Sequence, residues 1–383
     1  MKLFPCLAAT SLLAATALGI AGETAAAGPK ADTGKLKIEE DFADPGVARG
    51  DDGLFYAFST QSDVPATALA HVPVARSATA NPTGAWQSLH TGSGARVDAL
   101  PNTGAWTMAS DPLLWAPDVS LRPAGGYLML YAAVPAAGGG HCLGTAAADR
   151  LGPDVRFDPA PEALLCGPQG PDGKTRGIID PAVFVDTDGA RYIVYKVEPF
   201  RDGDRSHWLP SEILLRKYVD RGPQGLEWDG DPTTILTASL DDPEDGQLEA
   251  PQLVRHGAHY VLFYSAAWYN NPSYYTGYAT STRLTEGYRK SDTKLLTSDV
   301  QQRATTPRGP RGVRHQDERP YDGCVPGNAD QLSGPGGATV FGDGASDYIA
   351  YHGIWSCTGG DLATRAMYVD RLSWTADDVP YIG

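Results

Sequence analysis

Three short sequence elements recur five times along this chain, and that repeat limits the fold more than any other feature. The most visible element is a turn followed by an aromatic, apolar run. It reads Gly53-Leu54-Phe55-Tyr56-Ala57-Phe58, Gly126-Tyr127-Leu128-Met129-Leu130-Tyr131, Arg191-Tyr192-Ile193-Val194-Tyr195, Tyr260-Val261-Leu262-Phe263-Tyr264 and Tyr348-Ile349-Ala350-Tyr351. Aromatic and β-branched runs between Gly and Asp turns are strand signals. The runs return at intervals of roughly 65 to 90 residues, room for about four strands each, which is one propeller blade. Each is preceded by a second element: Asp44-Pro45-Gly46-Val47, Ala116-Pro117-Asp118-Val119, Asp180-Pro181-Ala182-Val183, Ala250-Pro251-Gln252-Leu253 and, more loosely, Gly337-Ala338-Thr339-Val340. A third follows each run, as in Val74-Ala75-Arg76-Ser77, Leu143-Gly144-Thr145-Ala146, Tyr278-Ala279-Thr280-Ser281 and Ala366-Met367-Tyr368-Val369. No stretch keeps a helical period. The expectation is an all-β fold, a single five-bladed β-propeller over residues 28–383.

Composition agrees. With 42% hydrophobic and 20% charged residues the chain is too apolar to be disordered, and 44 Gly with 30 Pro are too many for a helical bundle. The net charge of −15 repels phosphate backbones, which excludes nucleic acid as a natural partner and leaves a neutral oligo- or polysaccharide undisfavoured.

In a propeller the first strand of each blade lines the central axis, so residues at one register of those strands converge at one end of it. At that register stand Asp44 and Asp180, each before a proline, with Glu249 two before Pro251 and Trp115 two before Pro117. Three neighbouring carboxylates repel one another and burial raises their pKa values, an arrangement that serves chemistry rather than stability. Two carboxyls across a sugar ring are what glycoside hydrolysis requires, one protonating the leaving oxygen and one drawing a proton from water. Trp115, Trp268 and Phe58 are candidates to stack on a sugar, with core packing the simpler role for Phe58.

The motifs Asp41-Phe42-Ala43-Asp44-Pro45, Trp115-Ala116-Pro117-Asp118-Val119, Ile179-Asp180-Pro181-Ala182-Val183-Phe184, Leu248-Glu249-Ala250-Pro251, Ser333-Gly334-Pro335-Gly336, Tyr351-His352-Gly353 and Arg365-Ala366-Met367-Tyr368 together resemble glycoside hydrolase family 43. That resemblance covers about residues 40–375. It implies an inverting hydrolase of arabinan or xylan, with Asp44 as general base, Glu249 as general acid, Asp180 positioning the acid and raising its pKa, and Arg365 contacting substrate. Inversion needs the base and acid carboxyls roughly 6.5–9.5 Å apart. The expected substrates are α-L-arabinofuranosyl linkages in plant cell-wall polysaccharide, with β-xylosides or internal 1,5-α-arabinan as alternatives. A non-catalytic carbohydrate-binding propeller has no use for the triad. A fructan hydrolase would need two Asn residues that Asp41-Phe42-Ala43-Asp44-Pro45-Gly46 lacks. Many family members carry a His after Gly-Pro-Gly that helps hold an axial calcium. Here that position is Gly337, so no metal ligand is assigned, calcium stays a doubtful candidate, and the chemistry requires no cofactor.

Lys2, an apolar stretch from Leu3 to about Ile20 and Ala25-Ala26-Ala27 read as an export signal over residues 1–27. Secretion, no membrane anchor and a monomeric state are expected. Removing Cys6 leaves Cys142, Cys166, Cys324 and Cys357, for which three pairings are open. Cys142–Cys166 with Cys324–Cys357 closes the shorter loops. Arg303, Arg308, Arg311 and Arg314 lie in a segment, 297–332, that breaks the repeat. The plain reading of that segment is a solvated surface loop tied down by Cys324, and the sharper one a loop that shapes one side of a cleft; as long inserts, it and residues 90–110 favour a pocket and so exo action.

Overall fold

A computed structural model describes residues 36–62, 69–222, 225–241, 243–300, 324–328, 330–358 and 362–383. The expected leader and the four arginines of 303–314 lie outside the described residues.

The described chain is almost wholly β, with one short 3-10 turn at Arg205–His207. It forms five antiparallel sheets of four or five strands. The innermost strands are Gly46–Arg49, Trp115–Leu121, Ile178–Val185, Leu248–His256 and Gly336–Gly342, and each makes neighbour contacts with the next around a closed ring. We number the blades one to five by these strands. The aromatic runs form the second strand of each blade, fully buried in Phe55–Phe58 and Tyr127–Ala133. The third strand of blade three, which the repeat did not reveal, is Glu212–Asp220.

No single hydrophobic centre holds the molecule together. Apolar clusters sit instead between neighbouring blades. Tyr56, Phe58 and Val74 of blade one pack with Met129 and Tyr131 of blade two. Leu130 and Leu143 of blade two meet Ile193 and Tyr195 of blade three, and Val194 and Leu215 of blade three meet Leu262 and Tyr264 of blade four. Each fully buried large side chain contributes about 1.5–3 kcal/mol over an exposed one. The ring is closed by the N-terminal strand Leu36–Ile38, which pairs with Leu362–Trp374 of blade five, so the last blade holds strands from both ends of the chain. Cys142–Cys166 ties the third strand of blade two to its outer edge, and Cys324–Cys357 joins the loop before blade five to that blade's second strand.

Candidate active site

At the start of every innermost strand one residue takes a left-handed backbone: Asp44 (φ 49°), Ala116 (46°), Asp180 (54°), Ala250 (48°) and Gly337 (59°). In blades two to five the strand register slips there, the mark of a β-bulge. For Asp and Ala this backbone is strained by roughly 1–3 kcal/mol, and strain of that kind gathers at functional sites. A bulged N–H loses its ladder partner and must find another acceptor. At four of the five left-handed residues a side chain of the preceding blade supplies one. The Asp44 N–H donates to His352 Nδ1 (3.1 Å), Ala116 to Thr60 Oγ1 (3.0 Å), Ala250 to Asp180 Oδ2 (2.8 Å) and Gly337 to Ser265 Oγ (2.9 Å).

Asp44 and Asp180 are therefore themselves the left-handed residues of their blades, lining the axial channel with Ala116, Ala250 and Gly337. Glu249 and Trp115 stand one residue earlier, just before their bulges. The common register expected for the three carboxylates is thus a pair of adjacent registers. The bulge, by setting two residues against one, still lets them meet at the same channel mouth.

Their surroundings differ sharply. Burial works to raise the pKa of Asp44. The Arg365 guanidinium, with Nη1 3.4 Å away, then His352, and the Thr60 hydroxyl, donating over 2.8 Å, outweigh that and hold the carboxyl well below the usual range. Asp180 is pushed up to about 7 by burial first, then by the charges of Glu249 and Asp44, against the opposing pull of Lys196. Glu249 is gripped on both oxygens. Oε1 accepts from the Tyr274 hydroxyl at 2.7 Å, and Oε2 accepts from Lys196 Nζ at 2.8 Å and Gln247 Nε2 at 3.1 Å. The site thus sets an ionised carboxylate, Asp44, near a second carboxyl, Asp180, that burial and its charged neighbours favour in the protonated form.

The predicted sugar contacts divide. Trp115 lies partly exposed, stacked on His141 with ring centroids 3.9 Å apart. Trp268 is partly exposed and receives the Arg201 guanidinium on its ring at 4.9 Å, leaving its indole N–H without a hydrogen-bond partner. Arg365 joins the site directly, spanning Asp44 and the exposed Tyr269 ring, 4.9 Å from its guanidinium carbon. Phe58 does not reach the site. It is 0% exposed and packs edge-on against Phe157, so its apolar ring serves the contact between blades.

His352, Lys196, Tyr274 and Thr60 were not assigned to the site from sequence. The detectable signal for Lys196 was a lone cation closing a buried run, Tyr192-Ile193-Val194-Tyr195-Lys196. His352 is 0% exposed, with burial and then the Arg365 charge lowering its pKa, so it is neutral beside Asp44. It also explains Gly337. A Cβ there would come within 2.5 Å of His352 Nδ1 and meet Asp44 Oδ1, so no histidine fits at 337 in this chain. His352 Nε2 is buried without a partner, but one nitrogen falls far short of the six to eight oxygens calcium prefers. Among the described residues no group of three or more His, Cys, Asp or Glu side chains could hold a metal ion. These residues do not fit a calcium cage, and no step below runs through a metal.

Solved structures share the fold at low identity. An α-L-arabinofuranosidase from Lactobacillus brevis is 20% identical, with TM-score 0.60, over 91% of this chain and 95% of that one. An exo-1,5-α-L-arabinanase from a bovine ruminal metagenomic library is 19% identical, TM-score 0.58, over 90% and 97%. An endo-1,4-β-xylanase from Bacteroides thetaiotaomicron is 18% identical, TM-score 0.57, over 91% and 96%. No curated protein matches the chain by sequence. Residues 38–380, nearly all of the propeller, match the family described as Glycosyl hydrolases family 43, and the chain belongs to that family.

Proposed function

We propose that this glycoside hydrolase cleaves α-L-arabinofuranosyl linkages of plant cell-wall polysaccharide, by inversion and from chain ends, and that it is exported after loss of residues 1–27. The observation that carries the mechanism is the electrostatic split across the channel mouth. Asp44, held ionised by Arg365, takes a proton from water as that water forms a bond to the anomeric carbon from one side. On the other side Glu249, beside Asp180, gives its proton to the departing glycosidic oxygen as the old bond breaks. One water is consumed, and the sugar leaves with inverted configuration. Trp115 and Arg365 are placed to stack on and hold the sugar.

The choice of sugar is supported by likeness alone, since two of the three neighbours above are by name an arabinofuranosidase and an arabinanase, and the third is by name a xylanase. The test is incubation with an aryl α-L-arabinofuranoside, an aryl β-D-xyloside and linear arabinan, with Glu249→Ala and Asp44→Ala as controls. The first-formed anomer is read by proton NMR. Release of β-L-arabinose from the arabinofuranoside, lost by orders of magnitude in both controls while the fold survives, is the expected result. Preferential cleavage of the xyloside, or retention of configuration, refutes the respective part.

A further inference from the structure

A fully buried lysine in a hydrolytic site demands an explanation, because an ammonium out of water is costly unless it is paired. Lys196 is 1% exposed. It closes the second strand of blade three, Arg191–Val197, opposite Ile179 and so alongside the bulge that holds Asp180. Its Nζ lies 2.8 Å from Glu249 Oε2, at the start of the innermost strand of blade four.

Every charged group that faces it is acidic, apart from the neutral-leaning His141 of blade two. Glu249 is in contact, Glu198 stands just past the end of its strand, and Asp180 comes from the neighbouring innermost strand. Gln247 shares the same carboxylate oxygen, and Tyr274 occupies the other. Arg365, the other buried cation of the site, pairs with Asp44. Asp44 and Glu249 therefore each have a cation of their own.

We propose that Lys196 is a positioning residue for the acid: its ammonium holds Glu249 in place and sets the pH at which the neighbouring Asp180 gives up its proton. A cation beside two carboxyls favours their ionised forms, so Asp180 releases its proton at lower pH than it would alone. Without the ammonium Asp180 must hold that proton more tightly. A merely structural lysine, filling space or tethering a strand, would leave the titration of Asp180 where it is.

The role of Glu249 and Asp180 in bond cleavage rests on the function proposed above, so the experiment carries one readout that needs no substrate. The alkaline limb of the kcat/KM–pH profile is measured on whichever aryl glycoside the wild type hydrolyses. In parallel the Asp180 carboxyl is titrated by carbon NMR in protein carrying 13C-carboxyl aspartate. Lys196→Met removes the charge, Lys196→Gln removes it while keeping a donor for Glu249 should the apolar variant fold poorly, and Lys196→Arg retains it. In the neutral variants both the limb and the Asp180 titration should move up by roughly one to three pH units, and in Lys196→Arg both should stay at the wild-type position. An unmoved Asp180 titration in a folded neutral variant overturns the proposal, as does an equal shift in Lys196→Arg. If the titration moves as stated but the wild type cleaves no glycoside, the inference about Lys196 stands and the proposed function falls.

Discussion

Replacing Arg365 by methionine keeps an unbranched stem in place of the longer guanidinium side chain and removes the charge that most opposes protonation of Asp44. With Nη1 3.4 Å from the carboxylate, Coulomb's law gives about 1.2 kcal/mol at the dielectric of water and about 5 kcal/mol at an effective value of 20. Both side chains are largely buried, at 15% and 19% exposed, so the answer lies between those bounds. At about 1.36 kcal/mol per pH unit this raises the Asp44 titration by roughly 1 to 3.5 units. The acid limb of kcat/KM, which reports the base in the free enzyme, should climb by that amount, while the alkaline limb set by the Glu249–Asp180 pair should stay. Stability follows the same sign. Because the folded carboxyl titrates below its unfolded value, Asp44 stabilises the protein fully above an unfolded pKa of about 3.9 and loses that contribution as pH falls. Arg365→Met should therefore melt earlier at neutral pH and converge with the wild type in strong acid. An acid limb that does not move in a folded variant refutes the assignment of Asp44 as the base that Arg365 keeps ionised.

Gly337→Ala should cost activity out of proportion to stability, because the added methyl meets Asp44 and His352 at a backbone φ of +59°; unchanged kcat/KM would show that this contact does not position the base. Phe58→Ala should do the reverse, losing about 3–5 kcal/mol in chemical denaturation with KM unchanged, since its ring lies wholly between blades. Opening Cys142–Cys166 by paired Ser substitution should cost about 3 kcal/mol in the same assay, from a loop of 24 residues, and leave the pH profile as it was.

The blades were legible because each strand must bury a face against its neighbour, and that writes runs such as Tyr127-Leu128-Met129-Leu130-Tyr131 into the chain five times over. The pairing of innermost strands was legible through prolines, which follow four of the five left-handed residues. The bulge itself was not. Nothing in Leu248-Glu249-Ala250-Pro251 says that Ala250 takes a left-handed backbone, so Glu249 was read as sharing a register with Asp44 when it stands one residue earlier. Closure by Leu36–Ile38 was equally hidden, since a three-residue strand carries no period and its partner lies more than 320 residues away. The carboxylates could be found by type and order. Their partners could not, because Lys196, His352 and Tyr274 gain meaning only from packing between strands far apart in sequence: a histidine on the strand next to that of Gly337 fills the space beside it.

The central claim is that Asp44 activates water and Glu249 protonates the leaving oxygen across one channel mouth. Its most direct test is the leaving-group dependence of Glu249→Ala against Asp44→Ala, using aryl glycosides from dinitrophenyl to unsubstituted phenyl. Loss of the acid should cost roughly 10²–10⁴-fold on the phenyl glycoside and little on the dinitrophenyl one, which departs unprotonated, whereas loss of the base should depress both alike. An equal loss on both substrates in Glu249→Ala, or none on either, would contradict the account.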